Sequence, residues 1–566
     1  MNRVTVWFIV AVAAGICMIR PALAHSVIYV DSQAGGANDG TSWNNAFVDL
    51  QVALAYAEGS GGEVDEVWIT RGTYAPAPPG GDRSISFQLL DEVDLYGGFV
   101  GTESEIDQRD PDGEPTILTG DLNGDDSADS ANADENSFHV LMGLGDDSAS
   151  CVLDGLTIVA GNANGEDDDE LGAGLFLDGF HPILDRCHFE GNHALGSGGA
   201  IYSLNSNPVA TDSTFVGNVA ENRGGAFHFL GGTPSFTGCV FEANVAQGFG
   251  GAMYSALSTT TFLGCAFQAN TSASGGAIYS FLATLTLLNC TLTGNSAAGN
   301  GGAVHLHDTN ASFTNCVFSG NEAAVGAGIS NVELFNQQTT VANCTFGGNV
   351  AASQGGAFRN SSGTMLVVNS VLWDNEPDSF ANDGIGASLT IEYSCVQGGA
   401  AGVGNISEDP LWVDPAGPDG MVGTADDDYR LGSQSPCIDA GANDYVPLDD
   451  FDLDGDGDTS EQIPMDANGE PRFVDDPETE DTGQGSPPLV DMGAQEFQIP
   501  TDACPGDAND DGHVDPLDVG YVLARFGCSV DEDPSCAMAD QNADGAVDPL
   551  DVGFILARLG ECDSGG

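Results

Sequence analysis

The chain is 566 residues long and sets 85 Asp plus Glu against 12 Arg and no Lys, for a formal net charge of −73. Such a chain repels phosphate backbones and anionic lipid, so nucleic-acid binding and docking to acidic membranes are disfavoured, and metal cations are its natural counter-ions. The acid is uneven, because residues 187–375 hold 8 Asp and Glu while residues 401–500 hold 25.

The N-terminus reads as an export signal over residues 1–24. Arg3 precedes an apolar run from Val4 to Met18, and Ala22, Leu23 and Ala24 supply a small-residue cleavage site before His25. No other stretch approaches the roughly 20 apolar residues of a membrane span. The mature chain is therefore expected to be secreted or held at the cell surface, with no membrane span.

Residues 25–136 read as an N-terminal cap and first coils. Strands are predicted at Val27 to Val30, Glu66 to Thr70, Ser86 to Leu89, Val93 to Tyr96 and Thr116 to Leu118. An amphipathic helix is predicted from Ala46 to Glu58, with Phe47, Leu50, Leu54 and Ala57 on one face. A helix there would cover the open strand edges of a stacked array.

Residues 137–400 repeat. Eight FxxN phrases, with Leu twice replacing Phe, end at Asn192, Asn218, Asn244, Asn270, Asn295, Asn321, Asn349 and Asn375, each 25 to 28 residues after the last. Gly-Gly-Ala recurs between them, and Cys187, Cys239, Cys265, Cys290, Cys316 and Cys344 each lie five residues before a repeat Asn, with Ser213 and Ser370 in the same slot. A fixed period of this length means stacked structural repeats. Short alternating segments broken by Gly and Asn point to three short strands per coil of a parallel β-solenoid. The Asn and Cys series read as structural ladders, the thiols as small buried side chains since Ser replaces two of them.

These FxxN and GGA[ILVF] signatures resemble the repeats of the polymorphic outer-membrane protein family and, more broadly, right-handed parallel β-helix proteins of the pectate-lyase-like superfamily. The resemblance implies an all-β, right-handed parallel β-helix. It departs at the end, where no membrane β-barrel segment follows. Residues 401–500 instead resemble the closing segment of exported β-helix proteins and read as a C-terminal cap with an acidic turn-rich extension, Thr479 to Pro488 being a mobile loop or linker.

Residues 501–566 carry a duplicated acidic loop. Asp507, Asn509, Asp511, His513, Asp515 and Asp518, and then Asp540, Asn542, Asp544, Ala546, Asp548 and Asp551, fall at loop positions 1, 3, 5, 7, 9 and 12, with Gly512 and Gly545 at position 6. Hard oxygen ligands at this spacing suit Ca²⁺, with the backbone carbonyl serving at position 7. Pro516 and Pro549 are placed to open the helix after each loop. The pair resembles a type I dockerin, a small α-helical EF-hand-like domain, and that resemblance implies a cohesin-like partner. Ca²⁺ that only folds the domain is the other reading. Cys504, Cys528, Cys536 and Cys562 are expected to form one or two disulfides. A third loop, Asp450, Asp452, Asp454, Asp456, Asp458 and Glu461, meets the D-x-D-x-D-G-x5-E template and is expected to hold Ca²⁺.

One column of the array is expected to face outward: Tyr202, His228, Tyr254, Tyr279, His305, Ser330 and Arg359. At a coil pitch of about 4.8 Å it would either stack on an extended glycan or simply pack across strands. Catalysis has less support, since the array shows no paired carboxylate spacing and its only bases are Arg186, Arg223 and Arg359. His305 and His307 share a strand face without a third metal ligand. The favoured expectation is a non-catalytic adhesion or glycan-binding module with a docking tail; the alternative is a polysaccharide lyase or glycoside hydrolase.

Overall fold

The computed structural model describes residues 26–126, 132–333, 337–477 and 479–498, together with 516–526 and the single positions 528, 547, 549, 552 and 556. The signal-peptide reading of residues 1–24 lies outside them. Contacts divide the chain into two compact units, 1–497 and 498–566.

The first unit is an all-β parallel solenoid of about 12 turns, the number of strands in one of its sheets. Strands one coil apart pair in parallel, giving stacked sheets of 13, 11 and 12 strands and a narrower one of 8 among the described residues. The narrow sheet is a departure from the three strands per coil expected. It is built from pairs such as His193–Ala194 directly after each repeat Asn, too short for a period-2 pattern to register.

Register carries the motif residues into columns. Phe189, Phe215, Phe241, Phe267, Leu292, Phe318, Phe346 and Leu372 pair in succession. All eight are fully buried, because alternation along the strand turns them inward. Their rings stack, with Phe241 and Phe267 at 4.7 Å and nearly parallel. This column is the spine of the core.

The Asn series forms a continuous buried ladder. Asn270 Oδ1 accepts from the backbone N–H and the side-chain Nδ2 of Asn244, both at 3.0 Å, while Asn270 Nδ2 donates to Phe241 O at 2.8 Å and to Asn295 Oδ1 at 2.9 Å. The same arrangement runs from Asn192 to Asn375. The cysteines of the repeats are free and buried. Ser213 Oγ and Ser370 Oγ accept from the backbone N–H of Cys187 and Cys344, the bond that Cys344 Sγ makes with Cys316 N, which explains why Ser and Cys interchange there. Burial pushes the Cys187 thiol up to about 12, so these sulfurs are packing groups, not nucleophiles.

The Gly-Gly corners have a steric reason. Gly275 adopts φ +67°, and a Cβ on Gly276 would lie 2.0 Å from the carbonyl oxygen of Gly302 one coil away. Only glycine lets successive coils approach this closely.

At the N-terminal end the helix is Leu50–Gly59, four residues shorter at its start than the pattern suggests. Asp49 caps it by accepting from Gln51 N at 2.8 Å, and Phe47 instead bridges to Val30. Phe47, Leu50, Leu54 and Ala57 are buried in one cluster with Ile28, Val30 and Val67 of the first two strands.

The segment after Cys395 does two things. Cys395 bridges to Ile406 and Tyr393 N donates to Val403 O, so residues 398–408 cover the last rung. Residues 411–497 then run back along the flank of the solenoid. Their fixings are spread over several coils: Asn315 Nδ2 to Met465 O, Ala494 N to Thr345 Oγ1, and a reciprocal pair between Asn369 and Ala442. The fully buried Arg472 donates to Asn315 Oδ1 and to the carbonyls of Gly493 and Ala494, and pairs with Glu496 at 3.4 Å. Thr479 to Pro488 departs from the linker expected. Thr482 N and Gly483 N donate to Asp439 O, and Gln484 N donates to Gly441 O, which ties this stretch to the body.

In the second unit the helix Pro516–Leu523 opens at Pro516, and positions 549, 552 and 556 are helical. Val547 N donates to Cys528 O at 2.9 Å, and Cys528 is disulfide-bonded. No helix among the described residues is long and apolar enough to cross a membrane.

Candidate functional site

The eleven-stranded sheet gathers the chemistry of the array. Tyr202, His228, Tyr254, Tyr279, His305, Ser330 and Arg359 pair in one column, the register that alternation predicts. Phe176 continues it upward, 5.7 Å from Tyr202, and the rings then follow at 5.0, 4.9, 5.5 and 4.8 Å down to His305.

The expectation of an open aromatic platform needs correcting. His228, Tyr254, Tyr279 and His305 are only 7, 6, 8 and 4% exposed, because each ring is covered by its copies one coil above and below. Arg359, at the foot of the column, is held by Asp383 through Nε at 3.1 Å and Nη2 at 3.3 Å. Ser330 is buried. The surface offered to solvent therefore consists of Tyr202, the partly exposed Arg359 and the side chains that flank the column.

Those flanking groups come from two positions the repeat signature does not mark. Arg223 and Phe249 precede their Gly-Gly corners and are bridged to each other. The Arg223 guanidinium sits 4.9 Å from the Tyr254 ring centre, and Phe249 packs on Tyr279 at 4.7 Å. Phe281 and His307 lie two residues beyond the column on the same face, 5.2 Å apart, and Tyr279 Oη lies 3.2 Å from His307 Nδ1. The i+2 rule applied to Tyr279 and His305 finds the second pair; the first follows from asking what precedes each Gly-Gly.

Burial fixes the charge state of the column. Desolvation pushes His228 and His305 down to about 3, helped at His228 by the Arg223 charge and at His305 by His307, so both are neutral at pH 7. Of His305 and His307, expected as two exposed imidazoles on one strand face, His305 is buried and His307 half-buried. Burial raises Tyr279 to about 12, so its hydroxyl remains a donor.

A second group lies beside the column's foot. Glu333 is buried beside Asn331, Thr339 and the Gln337 backbone, which partly offset its desolvation. Desolvation, and then the charge of Asp308, raise it to about 7. Asp308 lines a recess of about 330 Å³ with Ser258, Thr284, Asn310 and Gln337. Among the 8 acids of the array, sequence spacing gives no reason to single out Glu333.

The acidic loop at 450–461 is formed, in a different register from the template. Asp449, Asp454 and Glu461 bring carboxylate oxygens within 4.8 Å of one another, and so do Asp452, Asp454 and Asp456. Asp450, the first position of the template, joins neither group. The cause is an antiparallel bridge between Leu448 and Gln462, with Asp449 N donating to Glu461 O, that sets Asp449 opposite Glu461. Asp449 is fully buried and its Oδ1 has no hydrogen-bond partner. Asp458 also stands outside both groups, since its Oδ1 accepts from Ser460 N and Oγ. All the ligand atoms are carboxylate oxygens, the donor set that suits Ca²⁺. Asp121 and Asp125 gather with Asp126 and Glu135.

Asp507, Asn509, Asp511, His513, Asp515, Asp540, Asn542, Asp544, Ala546, Asp548 and Asp551 lie outside the described residues, and Asp518 is described only as part of its helix backbone.

A family model described as a right handed beta helix region matches residues 146–318, and the coils accordingly form a right-handed parallel β-helix. Three solved structures are similar at low identity. Pectate lyase Pel9A is 14% identical, with 84% of this chain and 98% of that one covered and a TM-score of 0.33. The A-module of the Azotobacter vinelandii mannuronan C-5 epimerase AlgE4 is 16% identical over 67% of this chain and 100% of that one, with a TM-score of 0.31. A rhamnogalacturonan lyase is 10% identical over 72% and 96%, with a TM-score of 0.31. No curated protein matches the chain.

Proposed function

We propose that this chain is an exported, Ca²⁺-binding β-helix protein that holds an extended polysaccharide or surface glycan along the flanks of its eleven-stranded sheet without cleaving it. The observation that carries the reading is the unbroken column from Phe176 to His305, flanked by half-buried Arg223, Phe249, Phe281 and His307. Stacked coils repeat at about 4.8 Å, which gives an extended chain of sugars a series of equivalent apolar and hydrogen-bonding contacts. The buried column is the rigid support, and Tyr202, Arg223, Phe249 and Phe281 are the contact surface. Ca²⁺ at Asp449, Asp454 and Glu461 neutralises part of the acidic flank. The helix Leu50–Gly59 caps the first coil, and the tail loops bind Ca²⁺ and dock to a cohesin-like partner.

Affinity electrophoresis of the full chain through gels containing neutral and acidic polysaccharides tests the binding. Retardation by at least one of them, weakened at least threefold in Arg223→Gln/Phe249→Ala, supports this reading. Retardation unchanged in that variant places the contact elsewhere.

A second reading rests on Glu333. A carboxyl group raised to about 7 by burial and by the charge of Asp308 has the protonation state of a general acid. In that reading Glu333 protonates a glycosidic oxygen while Asp308 serves as its carboxylate partner. Hydrolysis abolished by Glu333→Gln would establish it.

A further inference from the structure

A carboxylate cluster that the loop pattern does not reveal lies where the C-terminal segment doubles back. Asp439, Asp475 and Asp481 come from three separate stretches, yet each offers a carboxylate oxygen within 4.8 Å of the others. Asp475 and Asp481 are exposed, whereas Asp439 is fully buried. Asp439 is held on every side but one. Its backbone N–H donates to Asp491 Oδ1 at 2.8 Å, its carbonyl accepts from Thr482 N at 3.1 Å and Gly483 N at 3.0 Å, and its Oδ2 accepts from Asp476 N at 3.3 Å. Oδ1 alone is buried with no hydrogen-bond partner. A buried carboxylate oxygen left without a donor is costly, the more so when charged, and such groups in native proteins are otherwise paired or bound to metal.

The surroundings worsen the imbalance. After desolvation and the Asp476 hydrogen bond, the charges acting most on Asp439 are those of Asp481, Asp475 and Asp476, all negative. The buried cation nearby in sequence, Arg472, is committed to Glu496. The backbone at Asp439 is also held at φ 51°, a left-handed conformation that L-residues adopt rarely outside Gly, Asn and Asp. The fold therefore fixes an unpaired carboxylate oxygen against two exposed carboxylates.

We propose that Asp439, Asp475 and Asp481 bind a Ca²⁺ ion that clamps residues 482–484 onto the body of the solenoid. The donor set is all oxygen, with no His or Cys to favour zinc, and the three oxygens are close enough together to share one ion with Ca–O bonds of about 2.4 Å. Exposure of Asp475 and Asp481 leaves the outer side of the ion to water. The site is separate from the loop of Asp449, Asp454 and Glu461 and shares no ligand with it. What the ion holds is specific: the amides of Thr482, Gly483 and Gln484, bonded to the carbonyls of Asp439 and Gly441.

Hydrogen–deuterium exchange on the full chain, first stripped with chelator and then given Ca²⁺ alone, tests this directly. The expected result is exchange of the 482–484 amides slowed at least tenfold by Ca²⁺. In Asp475→Asn/Asp481→Asn, whose changes are confined to exposed side chains, that slowing disappears while any Ca²⁺ effect around Asp449 persists. Equal exchange at 482–484 with and without Ca²⁺ in the unaltered chain overturns the proposal. So does the same Ca²⁺-dependent slowing in the double variant.

Discussion

Replacing Asn270 by Ala probes the device that sets the coil geometry. The side chain accepts from Asn244 N and Nδ2 and donates to Phe241 O and Asn295 Oδ1, so four hydrogen bonds vanish together. The residue is fully buried, and no water replaces them. The Asn244 N–H is left without its acceptor, at about 1–3 kcal/mol, and the other three bonds add about 0.5–1.5 kcal/mol each, for a total between about 2.5 and 7.5 kcal/mol. Asn270→Asp separates the contributions, because it keeps the acceptor and turns the donor into a second acceptor facing Phe241 O and Asn295 Oδ1. It should be the more damaging change at neutral pH and recover partly in acid, where the carboxyl can protonate and donate. A 26-residue repeat array need not unfold in one step, so the decisive assay is local: amide exchange at Asn244 and its neighbours in the unaltered chain and both variants. A loss below about 1 kcal/mol for Asn270→Ala, or an Asp variant indistinguishable from the unaltered chain at pH 7, would refute the ladder as a stabilising element.

Acid should unfold the array through its buried imidazoles. His228 and His305 fall from 6.5 to about 3 in the fold, so the unfolded chain binds more protons between those values. Their contribution to stability is full above pH 6.5 and is lost as pH drops toward 3, by about 2 kcal/mol per imidazole between pH 7 and pH 5. Denaturant melts across that range should show the slope, and His228→Gln/His305→Gln should flatten it. Gly276→Ala places a methyl 2.0 Å from Gly302 O and should cost about 3 kcal/mol or more, against about 1 kcal/mol for Gly264→Ala, whose strain is only its φ of +61°; thermal melts of the two variants compare them. Calorimetric Ca²⁺ titration of the full chain should lose two sites in Asp507→Ala/Asp540→Ala and one in Asp449→Asn; unchanged stoichiometry in either would contradict the ligand assignments.

Much of the scaffold is legible because one constraint repeats. A column needs the same side chain at the same corner, so Asn192 to Asn375, the Phe column and the Cys/Ser ladder announce their structural role by period alone. What period cannot show is how deeply a side chain sits. Tyr254 and His305 alternate outward as expected, but rings stacked at coil pitch bury one another, and the exposed area passes to Arg223, Phe249 and Phe281, which break the repeat. The acidic segment is opaque for a different reason. A linear template requires ligands in one loop, so it finds Asp452 and Asp454 but chooses Asp450 over Asp449, whose position depends on the Leu448–Gln462 bridge. It cannot find Asp439, Asp475 and Asp481, because only chain return brings them together. Glu333 has no signature either, since its shift arises from burial by neighbouring coils.

The most direct test of a binding face that does not cut is an end-group assay on the retained polysaccharide. The full chain, loaded with Ca²⁺, is incubated with each polysaccharide that retards it in a gel, and new reducing ends and unsaturated ends are measured over time. The account predicts retention with neither kind of end above the protein-free control. Accumulation of either, abolished in Glu333→Gln, would contradict it and make Glu333 part of an active site.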